Sequence, residues 1–250
     1  MLFRSGNLYI SFNGDPSFTS KDLQSLLLQL KQQGLQQIND NVYLVGELGE
    51  LSHAPGRVWD DLGICYAAPV ASFIINKNCI SAQFLPKLAD DAGEVKIVGN
   101  EPVSIASNAV FDKTEQQPFC ELTLARLADN HFSLEGCYPG DNPLNLKIAI
   151  TDLALFLQGR LTTLFAQNHI KVNGDIAISA RYPLQSLLLA EHQSAPLKAM
   201  VATMLLKSDN LIADSLLKRL GQQVYGGKAS FAKGSAAIAL VLAQQGVDLQ

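Results

Sequence analysis

The sequence is poor in the features that mark several protein classes. Only 17% of its 250 residues are charged, and 19 Lys and Arg face 23 Asp and Glu, a formal net charge of −4. A chain without a basic face cannot displace counterions from a phosphate backbone, so nucleic acid is not an expected partner. Apolar runs are short: Leu26-Leu27-Leu28 is representative, where a membrane span needs about 20 residues. Met1-Leu2-Phe3-Arg4-Ser5-Gly6 lacks the apolar stretch of a signal peptide. A strand pattern, Leu8-Tyr9-Ile10-Ser11-Phe12, follows almost at once and reads as a fragment's beginning. The four cysteines, Cys65, Cys79, Cys120 and Cys137, form no C-x-x-C pair, and the four histidines form no H-E-x-x-H, so no zinc or redox motif is present. These cysteines suit either buried thiols or two disulfides of an oxidising compartment. Apolar residues, by contrast, make up 48% of the chain. That is ample for a packed core and excludes a disordered chain.

Punctuation and periodicity divide the chain into alternating stretches. Asn13-Gly14-Asp15-Pro16 is turn chemistry. Thr19 or Ser20 can cap a helix presenting Leu23, Leu26, Leu27 and Leu30, with Gly34 as its stop. Val42 to Val45 reads as a buried strand, and 47–61 as an ordered loop in which Trp59, beside Asp60-Asp61, anchors on the core, with a substrate-stacking role as the alternative. From Ala68 to Gly136 the pattern is β. Val70–Ile75 and Cys79–Leu85 flank Asn76-Lys77-Asn78, a hairpin signal, and further strand patterns fall at 95–98, 103–105, 121–124 and 132–134, the last after an Asp129-Asn130 turn. Helical spacing returns with Leu153, Phe156, Leu157, Leu161, Leu164 and Phe165, and 170–176 reads as a turn into a strand. A short apolar segment, Leu184 to Leu189, precedes three helices, opening at Pro196 and running over about 211–220 and 234–245.

Chemistry concentrates at Ser208-Asp209-Asn210, between two of these helices. As a bare tripeptide it is most simply a helix cap. Its groups nevertheless suit acyl transfer. A serine hydroxyl can relay a proton to a leaving amine, and an asparagine amide can donate to a substrate carbonyl while accepting from a lysine. The two side chains converge on one cleft only if the junction departs from a regular helix.

The surroundings of this tripeptide add to it. Ser208-Asp209-Asn210 resembles the second signature of the active-site serine penicillin-recognising enzymes. Pro196-Leu197 and Met204 through Asp214 narrow the likeness to the D-alanyl-D-alanine carboxypeptidase/endopeptidase family, the low-molecular-mass class C penicillin-binding proteins. Gly14-Asp15-Pro16 with Asp22-Leu23 is similar to that family's early turn and helix. Pro55-Gly56, Trp59-Asp60-Asp61-Leu62 and Cys65 to Val70 are similar to its insertion segment, and Gly136-Cys137-Tyr138-Pro139 with 170–174 to a later part of it. The resemblance runs over nearly the whole chain.

It implies an α+β fold: a piece of a transpeptidase-like α/β domain carrying a long insertion with a nested β-rich domain. Residues 1–78 and 140–180 would form the first inserted domain, 79–139 the nested one, and 181–250 part of the penicillin-binding domain. The implied reaction is acyl transfer at a D-alanyl amide of peptidoglycan peptides, with Ser208 relaying a proton and Asn210 orienting the substrate amide; Lys207 and Asp209 fit a solvated face. No metal or organic cofactor is implied. β-Lactams would be ligands of the intact enzyme, the setting would be periplasmic, and the disulfides would be Cys65–Cys79 and Cys120–Cys137.

The departures from the family pattern are as informative. The nucleophilic Ser-x-x-Lys should precede Ser208, yet the strings present, Ser215 to Lys218 and Ser230 to Lys233, both follow it and read as helix-surface residues. No Lys-Thr-Gly occurs. The chain is therefore expected to be inactive alone. A noncatalytic peptidoglycan-binding or assembly module is the alternative, and an unrelated binding protein that shares only cap chemistry at Ser208 a weaker one.

Overall fold

The computed structural model describes residues 3–46, 53–57, 63–87, 92–112 and 120–247; Trp59 and most of the 47–61 loop lie outside them. From the N-terminus the elements are β1 (Phe3–Ser5), β2 (Leu8–Ser11), α1 (Ser20–Gln32), β3 (Leu35–Ile38), β4 (Val42–Val45), β5 (Cys79–Leu85), β6 (Glu94–Ile97), β7 (Ser104–Ser107), β8 (Val110–Phe111), β9 (Thr123–Arg126) and β10 (His131–Glu135). There follow β11 (Cys137–Tyr138), β12 (Leu144–Ala149), α2 (Leu153–Gln167), β13 (Lys171–Val172), β14 (Ile176–Ser179), α3 (Leu197–Lys207), α4 (Asn210–Tyr225) and α5 (Phe231–Gln244).

Three segments each bend once and contribute a strand to two parallel sheets, β1-β3-β13 and β14-β4-β2. The bends carry Gly and Asn because these residues can satisfy the backbone locally. Asp40 N donates to Gly6 O at 3.1 Å and Gly174 N to Asp40 O at 3.1 Å, while the Asn41 side chain accepts from Asp175 N at 2.9 Å. Helices α1 and α2 supply the crossovers that parallel strands require. Helix α1 begins at a reciprocal capping box: Thr19 and Asp22 each accept from the other's backbone N–H. Asp152 caps α2 through Leu155 N at 2.9 Å.

The principal core joins Leu23, Leu27 and Leu30 of α1, Ile38, Val42 and Leu44 of the strands, and Phe156, Leu157 and Leu161 of α2. Full burial of each such side chain is worth about 1.5–3 kcal/mol. Ile80, Phe132 and Ile148 belong to this core, and Phe84, Ala109 and Leu134 form a separate small cluster beyond it. The antiparallel sheet β12-β5-β6 connects the two. In the neighbouring β7-β10-β9 sheet, Asp129 and Asn130 take φ of 58° and 56°, the doubly left-handed turn that matches strand twist.

Cys65 is joined to Cys79 and Cys120 to Cys137, with Cα separations of 5.3 and 5.2 Å. Gly136, with φ 92°, stands between β10 and β11, and a Cβ there would collide with the Glu121 carbonyl.

One strand expectation fails. Val70–Ile75 does not pair as the first arm of a hairpin but forms a buried loop, with Phe73, Ile74 and Ile75 almost wholly enclosed. Its backbone groups find other partners, as buried backbone must. The Asn78 amide donates to Pro69 O and Phe73 O at 2.9 and 3.1 Å and accepts from Ile75 N at 3.1 Å. Asn76, Lys77 and Asn78 all have positive φ, so the chain makes a left-handed turn rather than a two-strand reversal.

Candidate active site

Helix α3 ends because Ser208 turns left-handed, φ 50° and ψ 45°. Asp209 N then closes on Met204 O at 3.1 Å, and Asp209 itself caps α4, its Oδ1 accepting from Ile212 N at 3.1 Å. The cap is thus Asp209 rather than Ser208, and the junction does depart from a continuous helix. Ser208 is exposed and Asn210 half-buried, and both line a cleft of about 500 Å³. The opposite wall comes from the N-terminal part of the chain: Tyr66, Lys77, Ser81 and Lys147, with Lys207 at the rim. Asn210 Nδ2 donates to Tyr66 O at 3.2 Å. Lys77 Nζ donates to the Asp209 carboxylate, whose side chain is only 8% exposed. The expectation of a solvated Asp209 is therefore corrected: a cap bond and a lysine draw its carboxylate inward.

A second correction concerns Ser215 and Lys218. They lie on α4 in continuity with Asn210, yet both are buried instead of surface-facing. Lys218 Nζ donates to Val70 O at 2.9 Å and lies 5.4 Å from the Phe231 ring centroid. Burial pushes its amine down, partly opposed by the Asp214 carboxylate. Burial pushes the Asp214 carboxyl up, against the Arg57 hydrogen bond and the charges of Arg57, Lys218 and His53. Arg57 meets Asp214 at 3.3 Å and lies 5.3 Å from the Tyr66 ring centroid. His53 Nδ1 is 2.8 Å from Ala67 O. Burial holds the His53 imidazole below its ordinary range, and although the Ala67 bond opposes this, Arg126 and Arg57 reinforce it. This cluster fastens the 53–57 loop and the 65–70 segment, buried from Ala67 onward, to α4, one turn beyond Asn210. Ser230 is a helix cap, its Oγ accepting from Lys233 N at 3.2 Å, and Lys233 Nζ donates to Gly226 O and Lys228 O at 2.7 and 3.0 Å. Neither Ser-x-x-Lys string points its serine into the cleft.

Sequence reasoning places Ser208 and Asn210 at this junction but misses Lys77, Lys147 and the Tyr66 carbonyl. The two motif contacts span 132 and 144 residues of sequence, and no local pattern reports them.

A cleft walled by a Ser-x-Asn turn between two helices, within a mixed α and β fold, defines the class. Residues 3–250 of the sequence match the D-Ala-D-Ala carboxypeptidase 3 (S13) family, and the chain belongs to it. It is 30% identical over 245 residues to the D-alanyl-D-alanine carboxypeptidase DacB of Haemophilus influenzae, covering 97% of this chain and 51% of that protein. The crystal structure of penicillin binding protein 4 (dacB) from the same organism superposes with a TM-score of 0.89 at 30% identity, covering 97% of this chain and 54% of the other. Its complex with a novel β-lactam superposes with a TM-score of 0.79 at 28% identity, covering 97% and 52%. The chain thus spans about half the length of these relatives. No described helix is long and apolar enough to cross a membrane.

Proposed function

We propose that this chain forms part of a serine-type D-alanyl-D-alanine carboxypeptidase/endopeptidase that acts on peptidoglycan peptides through an acyl-enzyme. The observation that carries the reading is the left-handed break at Ser208. It brings Ser208 and Asn210, two residues apart, into the same open cleft, where a regular helix would turn them about 200° from each other. Ser208 relays a proton toward the departing amine, and Asn210 orients the substrate amide. The setting is periplasmic, and the complete enzyme also takes β-lactams.

The helical segment 181–250 is assigned to the penicillin-binding domain, 1–78 with 140–180 to the first inserted domain and 79–139 to the nested one. Exposed apolar side chains on the helices support the first assignment: Leu205 and Leu206 are 71% and 85% exposed, as expected of a surface that packs against further protein.

Ser208 has no lysine one turn later, since position 211 is Leu. The nucleophile and base of a serine acyl enzyme act as a unit, so the chain by itself should take up no penicillin. A mass spectrum after incubation tests this: a single adduct abolished by Ser215→Ala or Ser230→Ala would reinstate those strings, and one abolished by Ser208→Ala would overturn the relay role. Grafted in place of the matching half of the Haemophilus relative, the chain should support D-alanine release. There Ser208→Ala should lower kcat by on the order of 10²-fold; unaltered turnover in that variant would refute the assignment.

A further inference from the structure

The turn Asn76-Lys77-Asn78 belongs to none of the elements that carry the Ser-x-Asn motif, yet it reaches that motif. Its three residues hold φ of 49°, 60° and 52°, a region that asparagine enters readily and lysine does not, so Lys77 is held there by its neighbours. The imposing contacts lie on both flanks. Asn76 Oδ1 accepts from Ser20 N at 2.9 Å, and its Nδ2 donates to Ser20 Oγ at 2.7 Å. The Asn78 side chain is bonded into the buried loop before it. Lys77, between two pinned residues, is exposed and extends toward Asp209.

Asp209 then serves two partners. One oxygen caps α4, and the other receives the Lys77 ammonium. Beyond the turn, Cys79 is bonded to Cys65, the neighbour of Tyr66, whose carbonyl receives Asn210. The disulfide therefore ties together the two points at which the N-terminal part of the chain grips residues 209 and 210. The grip matters because Ser208 is left-handed, a state disfavoured for a residue that carries a Cβ. The bond from Asp209 N to Met204 O supports this state from within the junction, and the Lys77 and Tyr66 contacts add support from outside the two helices.

We propose that Lys77 is a positioning residue for the Ser-x-Asn motif: by anchoring the Asp209 carboxylate it fixes the left-handed junction and, with it, the direction in which Ser208 and Asn210 enter the cleft. The role within a reaction rests on the function proposed above, but the anchoring itself is measurable without turnover.

The test uses the 250-residue chain labelled with ¹⁵N. Lys77→Asn removes the ammonium and keeps a residue that tolerates the left-handed turn. The Asn210 side-chain amide resonances should move, and amides 208–212 should exchange roughly threefold to fivefold faster, as expected for loss of a modest ion pair. Exchange in α5 should stay unchanged. Lys77→Arg should restore the wild-type pattern. Asp209→Asn, which keeps a capping side chain, should reproduce Lys77→Asn, and the double variant should be no worse than either single one. An Asn210 resonance and junction exchange unmoved by Lys77→Asn would overturn the proposal, as would failure of Lys77→Arg to restore them. If the grafted enzyme is inactive while Lys77→Asn shifts Asn210, the anchoring stands and the catalytic reading falls. If the graft is active and Asn210 is unmoved, the anchoring alone falls.

Discussion

Replacing Asn78 with alanine should be among the most damaging single changes in the N-terminal part of the molecule. The side chain is fully enclosed and makes three bonds to the backbone of the preceding loop: to Pro69 O at 2.9 Å, to Phe73 O at 3.1 Å and from Ile75 N at 3.1 Å. An intact bond contributes about 1 kcal/mol net, but a buried partner left unpaired costs about 1–3 kcal/mol. The φ of 52° adds a second cost, because alanine lacks the local hydrogen bonding that eases asparagine into this region. Together these give a loss of about 3–5 kcal/mol, a large share of the roughly 5–15 kcal/mol that stabilises a domain. Urea unfolding followed by far-ultraviolet circular dichroism reads this as a lower midpoint at unchanged slope. Asn78→Gly separates the two contributions, since glycine loses the same bonds but accepts the backbone, and it should recover about 1 kcal/mol relative to alanine. An alanine variant within about 1 kcal/mol of wild type would refute the role given to the side chain. A glycine variant no better than alanine would refute the backbone contribution.

Two further outcomes follow from the same reasoning. Burial depresses the His53 pKa, so below the ordinary imidazole range the folded state binds fewer protons than the unfolded chain; the stability this group contributes is whole above that range and is lost as pH falls through the folded value. His53→Asn should flatten the decline in urea midpoint between about pH 7.5 and 5, and an identical pH profile in the variant would contradict the assignment. Gly136→Ala should destabilise by about 2 kcal/mol or more, because φ is 92° and the new methyl meets the Glu121 backbone, which cannot swing aside as a side chain would; a midpoint equal to wild type would show that β10 and β11 can shift apart freely.

The helices were legible because their signals are local. Thr19 with Asp22 and Asp152 cap where the apolar spacing begins, whereas Ser230, read as helix surface ahead of a helix opening near 234, turns out to be the cap of α5. The Asp129-Asn130 turn was legible for the same reason. The Val70–Ile75 segment was not, since an unbroken apolar run is equally a strand and a buried loop. The choice was made by Asn78 and by Lys218, the latter 148 residues away. Ser215 and Lys218 show the same limit from the other side. On a helical wheel they sit plausibly in solvent, and only the packing of 65–70 and α5 against α4 encloses them. At the candidate site the tripeptide could be read, as could the need for a break in the helix. Which residue would cap, and that a lysine from a distant turn would hold Asp209, depended on the fold.

The order of the cysteines along the chain has a consequence for biosynthesis. Four cysteines admit three pairings, and the one in the structure links neighbours, first to second and third to fourth, across 14 and 17 residues. Neither loop encloses or crosses the other. A chain that meets an oxidant in order along its sequence presents Cys79 to Cys65 before Cys120 has appeared, and Cys137 then finds Cys120 as the one thiol of this segment left unpaired. Whichever thiols meet first are already the right ones, so vectorial oxidation arrives at this pattern without a shuffling step, and demand for a disulfide isomerase should be low.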